Sequence, residues 1–349
     1  MQRSLNGYRN NEMILRAVES KENTDEENEE RVKVFRLTLR CIKHWSKKQG
    51  LNSNKMGYLG GIAWAILVAK ICQMFPKLSA VKLLEKFFYI YGFKWDWSTM
   101  TIMIAPEELE EQEKNKMKQM QKFNILTPAY PQSNSTHNIN QCTKDVILTA
   151  FKAGYELVKD ILDKDESPND DDEDNWKKLF KEFCFFDKYN HYLEVNVVGK
   201  DEKDYASWKG FIEAKIRLTS KYFEEFYKMY SIRIHYWPYF YNSNIKTTYA
   251  LNSTMYIGMK VLEKYDEKID LTFPIWNFIN EIDDTWEKNN PKRQSDELNL
   301  IIVYRKKSKM AKERTPYYNP KESDCSNVTK VKPISHQKQE VSYFILINR

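Results

Sequence analysis

The sequence predicts two domains, the first helical and the second α+β, and three observations carry that expectation. Apolar residues recur at helical spacing through the first half, from Phe35, Leu39, Ile42 and Trp45 to Ile147, Phe151, Val158 and Ile161. An acidic run, DKDESPNDDDED at 163–174, interrupts the chain near its middle. Beyond it, short segments that alternate apolar and polar residues, such as YNHYLEVNVV at 189–198, are separated by helix-length stretches.

In order, residues 4–18 read as a turn and a short helix from Asn11 to Val18. The acidic stretch 19–31 (ESKENTDEENEER) reads as a solvated loop. Helices follow at 33–48, 61–75 and 78–91, with Pro76 stopping the second, Ser79 capping the third and Gly92 ending it. The second of these is apolar on nearly every side, as expected of a helix buried at a domain centre, and too short to span a membrane. Residues 93–105 read as extended, 106–121 as a polar surface helix and 140–162 as a long amphipathic helix.

The acidic run, with its Ser167-Pro168, is taken as a linker at 164–174, which places the domains at 1–163 and 175–310. The second region opens with a short helix holding Trp176, Leu179 and Phe180. It continues as a strand at 189–198, a helix at 205–229, strands at 231–237 and 253–262, a helix at 272–286 capped by Thr272, and a strand at 298–304. The order β-α-β-β-α-β is the ferredoxin-like plan that RRM modules share. No RNP1-type aromatic signature accompanies it, so base stacking on the sheet face has no support in the sequence.

With 349 residues, 42% of them hydrophobic, the chain has material for two cores. The net charge of +6 is concentrated: residues 305–340 hold ten Lys/Arg against four Asp/Glu. The basic signal is a tail, read as disordered over 311–349, which suits nucleic-acid contact or nuclear import. Cys41, Cys72, Cys142, Cys184 and Cys325 show no metal or disulfide spacing and read as thiols of a reducing compartment. The histidines His44, His137, His191 and His235 stand alone and read as structural, and no Ser/His/Asp constellation appears. No apolar run follows Met1, so neither a signal peptide nor membrane attachment is expected.

The stretch 35–75 carries the most chemistry. A helix interleaves Arg36, Arg40, Lys43, Lys47 and Lys48 with its apolar stripe, a polar loop GLNSNKMG follows, and Gly60-Gly61 opens the apolar helix. Two readings stand here. Gly-Gly at a helix N-terminus lets an anion approach backbone N–H groups and the helix dipole. The other reading, which spacing alone favours because Gly-Gly before a helix is a weak signal, is a glycine-rich corner of a helical hairpin.

The same stretch resembles the central domain of eukaryotic nuclear poly(A) polymerases, in Leu39-Arg40-Cys41-Ile42-Lys43-His44-Trp45, Asn52-Ser53-Asn54 and Gly57-Tyr58-Leu59-Gly60-Gly61-Ile62-Ala63-Trp64-Ala65. Further motifs keep the family's order: SLNGYR at 4–9, LTPAYP at 126–131, NSTHN at 134–138 and STMYIG at 253–258. The resemblance implies adenylate transfer from ATP to RNA 3′ ends in mRNA polyadenylation, in the nucleus, with Mg²⁺ or Mn²⁺, an RNA 3′ end as partner and contacts to polyadenylation-machinery proteins. It implies a nucleotide wall: Lys43 at the triphosphate, Gly61 and Ile62 packed against the nucleotide, Asn54 and Asn6 in the pocket. Asn52 stands where the family has a tyrosine, losing an aromatic surface and a hydroxyl.

The family's metal-binding carboxylates sit in a domain that precedes SLNGxR, as a D-x-D pair after a Gly-Ser turn. The only D-x-D pairs here, Asp163/Asp165, Asp170/Asp172 and Asp172/Asp174, lie in the acidic run. The expectation is therefore a chain with the nucleotide wall and RNA-binding parts but no catalytic residue or metal ligand. That leaves its own enzymatic status open, and a non-catalytic paralogue or incomplete gene product that only binds RNA or partner proteins remains the alternative.

Overall fold

The computed structural model describes residues 2–104, 123–164, 172–226, 232–242, 249–261, 269–290, 297–309 and 346–347. The chain divides into two compact units, 1–183 and 184–349.

The first unit is helical: α1 Gln2–Val18, α2 Asp25–Lys48, α3 Gly61–Met74, α4 Ala80–Tyr89, α5 Gln141–Lys164 and α6 Asp172–Leu179. Every residue of α3 from Ala63 to Ala69 is buried, which is why its sequence lacks a polar face. Around it Trp45, Trp64, Phe87, Phe88 and Phe151 form one aromatic core, with Trp45 edge-on to Phe88 at 4.8 Å. Gly154 admits Phe88, whose ring a Cβ at that position would meet at 2.7 Å. The Tyr91 hydroxyl donates to the Leu67 carbonyl (2.8 Å), and Gln73 ties α3 to the Ala17 and Ile104 carbonyls. Residues 102 and 125 form a parallel bridge.

Expectations fail at several points in this unit. Ser79 precedes α4, but its side chain makes no cap hydrogen bond, and Gly92 does not end the helix, which runs on as a π turn over Ile90–Lys94, into the start of the segment read as extended. The segment 4–9 is no turn, because α1 starts at Gln2. The acidic stretch is only partly loop, because α2 starts at Asp25. Thr24 caps it: its hydroxyl accepts from the Glu27 N–H, the Glu27 carboxylate accepts from the Thr24 N–H, and Asp25, Glu26 and Glu27 sit at the positive end of the helix dipole. Acidity that signals a loop elsewhere here stabilises a helix start. The helix expected at 106–121 and most of the acidic run lie outside the described residues. The segment after α6 is fastened to α2, the Phe183 N–H donating to the Lys48 carbonyl (3.0 Å).

The second unit comprises α7 Phe185–Lys188, β1 His191–Gly199, α8 Glu202–Lys215, α9 Thr219–Phe226, β2 Ile232–Tyr241, β3 Leu251–Val261, β4 Ile269–Asp270, α10 Thr272–Asn289, β5 Leu298–Lys306 and β6 Leu346–Ile347. The sheet order β2-β3-β1-β5, antiparallel throughout, is the ferredoxin-like arrangement the element order predicts. Register pairs Leu193 with Ile257 and Tyr304, and Val195 with Met255 and Ile302, giving one apolar face. The helices cover that face: Tyr205 bonds Ser253, the Trp208 indole donates to the Asn299 carbonyl (3.1 Å), and the Tyr236 hydroxyl meets Thr219 (2.9 Å).

Local differences from expectation have local causes. The single helix expected at 205–229 breaks at Ile216–Leu218, where the Arg217 carbonyl accepts from the Ser220 and Tyr236 hydroxyls. Strand β2 runs on to Tyr241 through an irregularity after Trp237, into the segment read as a loop. Thr272 is not the cap of α10; its N–H donates to the Asp270 carboxylate (2.8 Å). Arg305 and Lys306 belong to β5 and not to the tail, and Arg305 Nε meets Glu194 Oε2 at 3.1 Å. Leu346–Ile347, in the stretch read as disordered, pairs with Ile269–Asp270. No helix among the described residues is long and apolar enough to cross a membrane.

Candidate anion site

Helix α2 ends at Lys48, and Gly50, two residues on with a φ of +69°, reverses the chain. Buried Leu51, Met56, Tyr58 and Leu59 then fix the loop that leads back to α3. The loop's turn, Asn54–Met56, closes on Gly57 at φ +83°. This return sets the first residue of α3 beside Lys43: a Cβ on Gly61 would lie 3.9 Å from the Lys43 Nζ. Lys43 and Gly61 are both exposed, and Ile62 is half-buried in the first turn.

Gly60 is the N-cap of α3 and has no side chain to cap it. The N–H groups of Gly61, Ile62 and Ala63 therefore have no acceptor among the described residues, and the helix dipole is positive there. Lys43, with no ion-pair partner among the described residues, adds a full positive charge to that end. Two positive features held this close repel unless an anion sits between them, and unpaired N–H groups at a helix start with an ammonium are the chemistry of a phosphate seat.

Asn54 forms the adjoining wall. Its Cβ would lie 3.4 Å from a Cβ on Gly60, so glycine there permits the approach. The Asn138 amide donates to Asn54 Oδ1 (3.0 Å) and to its carbonyl (3.2 Å), and Asn54 Nδ2 donates to the Ser135 carbonyl (3.3 Å). Sequence spacing gave Asn138 and Ser135 no role; the NSTHN motif was their only signal. Neither Asn52, half-buried in the loop, nor Asn6, half-buried on α1, hydrogen-bonds to Lys43 or Asn54. The Asn6 carbonyl accepts from the Asn10 amide (2.8 Å), and buried Asn10 in turn accepts from the Ala129 N–H (2.9 Å).

Other reactive side chains are engaged in structure. Burial pushes the Cys72 thiol up to about 12 and raises Cys41, so both stay protonated. His44 packs edge-on to Phe180, and the His191 ring meets the Tyr304 hydroxyl at 2.7 Å. Among the described residues no three His, Cys, Asp or Glu come together as metal ligands.

In the second unit, the sheet face opposite α8 and α9 is where RRM modules stack bases. Here α7 covers it. Phe185 stacks on Trp237 (4.8 Å), Phe186 stands edge-on to Tyr256 (5.0 Å), and the Tyr189 hydroxyl lies 2.6 Å from His235 Nδ1. Tyr192, Tyr256, Trp237 and His235 are consequently buried.

Two family models match the chain: the poly(A) polymerase central domain over residues 34–182 and the poly(A) polymerase predicted RNA binding domain over 184–248. The chain is 37% identical over 227 residues to nuclear poly(A) polymerase 4 of Arabidopsis thaliana, covering 63% of this chain and 28% of that protein. It is 30% identical over 317 residues to the poly(A) polymerase of Dictyostelium discoideum, covering 88% of this chain and 36% of that protein. The chain thus spans about a third or less of the length of these relatives. Among solved structures, a cytoplasmic RNA terminal U-transferase is 17% identical with a TM-score of 0.35, over 43% of this chain and 58% of that one. By its two matched domains and these relatives, the chain belongs to the eukaryotic poly(A) polymerase family and carries that family's central and RNA-binding domains.

Proposed function

We propose that the α3 N-terminus with Lys43 seats the triphosphate of ATP, and that the chain supplies the nucleotide wall and RNA-binding part of adenylate transfer to RNA 3′ ends in mRNA polyadenylation. The observation that carries this is the Lys43 ammonium held against Gly61 at an uncapped helix start. Ile62 packs beside the nucleotide, and Asn54, braced by Asn138, presents its polar edge. The RNA 3′ end and polyadenylation-machinery proteins are the partners in this reading. The nucleus is its location, as the names of the Arabidopsis relatives suggest. In the family's chemistry Mg²⁺ or Mn²⁺ clamps the attacking oxygen and the leaving pyrophosphate. The described residues offer no carboxylate cluster that fits such an ion. What these residues do is bind and orient the nucleotide.

Titration of the full chain with ATP, and with inorganic tripolyphosphate, tests this. Lys43→Gln is expected to weaken both by about tenfold, which is about 1.4 kcal/mol. Gly61→Ala has room in the fold, with Lys43 Nζ 3.9 Å from the new methyl, so it keeps the melting temperature while weakening the same ligands by closing the approach to the backbone. Wild-type affinity in both variants overturns the assignment.

A further inference from the structure

Helix α2 is divided by charge: every Asp and Glu lies in 25–30, while 31–48 carries seven Lys/Arg and no acid. Lys33 is matched to Glu29 (3.1 Å). Arg36, Arg40, Lys43 and Lys47 follow at spacings of four, three and four, all exposed. These positions fall within roughly 60° of one another around the helix and extend about 16 Å along it. They face away from the stripe buried at Phe35, Thr38, Ile42 and Trp45. Arg36 and Arg40 have no ion-pair partner among the described residues. Like charges three and four apart cost a helix about 0.2–0.5 kcal/mol a pair. The helix dipole compensates Lys47 and Lys48 in the last turn but not Arg36 and Arg40 near the middle, since its effect fades within one turn of the end. Arg36 and Arg40, unmatched among the described residues and leading to Lys43 at the phosphate seat, are the footprint of a polyanion.

We propose that Arg36 and Arg40 carry the backbone phosphates of single-stranded RNA along α2, an entry track in the central domain separate from the RNA-binding domain. The inference rests on the nucleotide reading for its destination, Lys43, but on charge and exposure for the track. Arginine suits it, since its planar fork takes phosphate oxygens in pairs. Contact is independent of base identity and weakens with salt through counterion release. The acidic first turns of α2 repel RNA and set the track's outer limit at Arg36.

The test measures binding of a short oligoadenylate to the full chain across a salt series, for wild type and Arg36→Gln/Arg40→Gln. Losing two phosphate contacts lowers the salt slope by about 1.4, so the affinity lost between about 50 and 200 mM salt is about sevenfold smaller. Lys77→Gln/Lys159→Gln, which removes equal exposed charge from the central domain away from α2, leaves the slope unchanged. An unchanged slope in the arginine variant overturns the track. So does an equal loss with polyglutamate, which makes the surface one for acidic proteins. ATP titration separates the two readings. If ATP fails to bind wild type while the arginine variant shifts the slope, the nucleotide seat falls and the track stands. If ATP binds through Lys43 and the slope does not move, the track alone falls.

Discussion

Gly57 holds the loop at φ +83°, and a Cβ there would come within 2.9 Å of the Asn138 carbonyl oxygen and 3.2 Å of Thr143. Gly57→Ala is therefore expected to cost about 1–3 kcal/mol in urea unfolding, and to weaken ATP binding, because Asn138 braces Asn54. Arg305→Ala removes the guanidinium from Glu194, a carboxylate only 2% exposed, and is expected to cost about 2 kcal/mol by the same measurement. Arg305→Lys keeps part of it. His235 is neutral in the fold, because burial against α7 pushes its pKa down to about 3. An unfolded histidine titrates near 6.5, so its contribution is complete above that pH and is lost as pH falls toward 3. Stability should drop by on the order of 2 kcal/mol between about pH 6.5 and 5 on this account, and His235→Gln should flatten that limb of the curve.

Among the elements, α2 shows both what the sequence makes legible and what it hides. Its apolar stripe marks the buried face, whereas its start is hidden, because an acidic polar stretch has the composition of a solvated loop and only the Thr24-x-x-Glu27 pattern distinguishes it. Thr24→Ala is expected to lower stability by about 1 kcal/mol, seen as a lower melting temperature, whereas an unstructured loop would register nothing. The strands were legible from period-two alternation, since one face of each meets helices. The break between α8 and α9 was not, because a hydroxyl from a distant strand, Tyr236, draws on the Arg217 carbonyl. The site follows the same division. Lys43, Asn54 and Gly61 were each visible by resemblance, but spacing alone does not show that a loop with two left-handed glycines returns Gly61 to Lys43. Asn138 was hidden more deeply, since its role depends on Asn54 lying beside it in space.

At the scale of the whole molecule, the basic excess is not all available to a partner. Arg305 is held by Glu194, and Lys307 donates to the Asp187 carbonyl (2.7 Å). A nuclear-import signal in this region must therefore use the residues that follow. Lys309→Ala/Lys312→Ala/Arg314→Ala in a tagged chain is expected to abolish nuclear accumulation, and wild-type accumulation would count against that reading. The lid formed by α7 has a further consequence for how the second unit is inherited. The six elements of the ferredoxin-like plan are not portable by themselves, because the residues that keep their aromatic face dry are encoded ahead of the first strand. A fragment beginning at Cys184 should stay dispersed, whereas one beginning at His191 bares Tyr192, Tyr256 and Trp237, and should bind an apolar dye and self-associate. Recombination that respected only the strands and helices would transplant a sticky sheet.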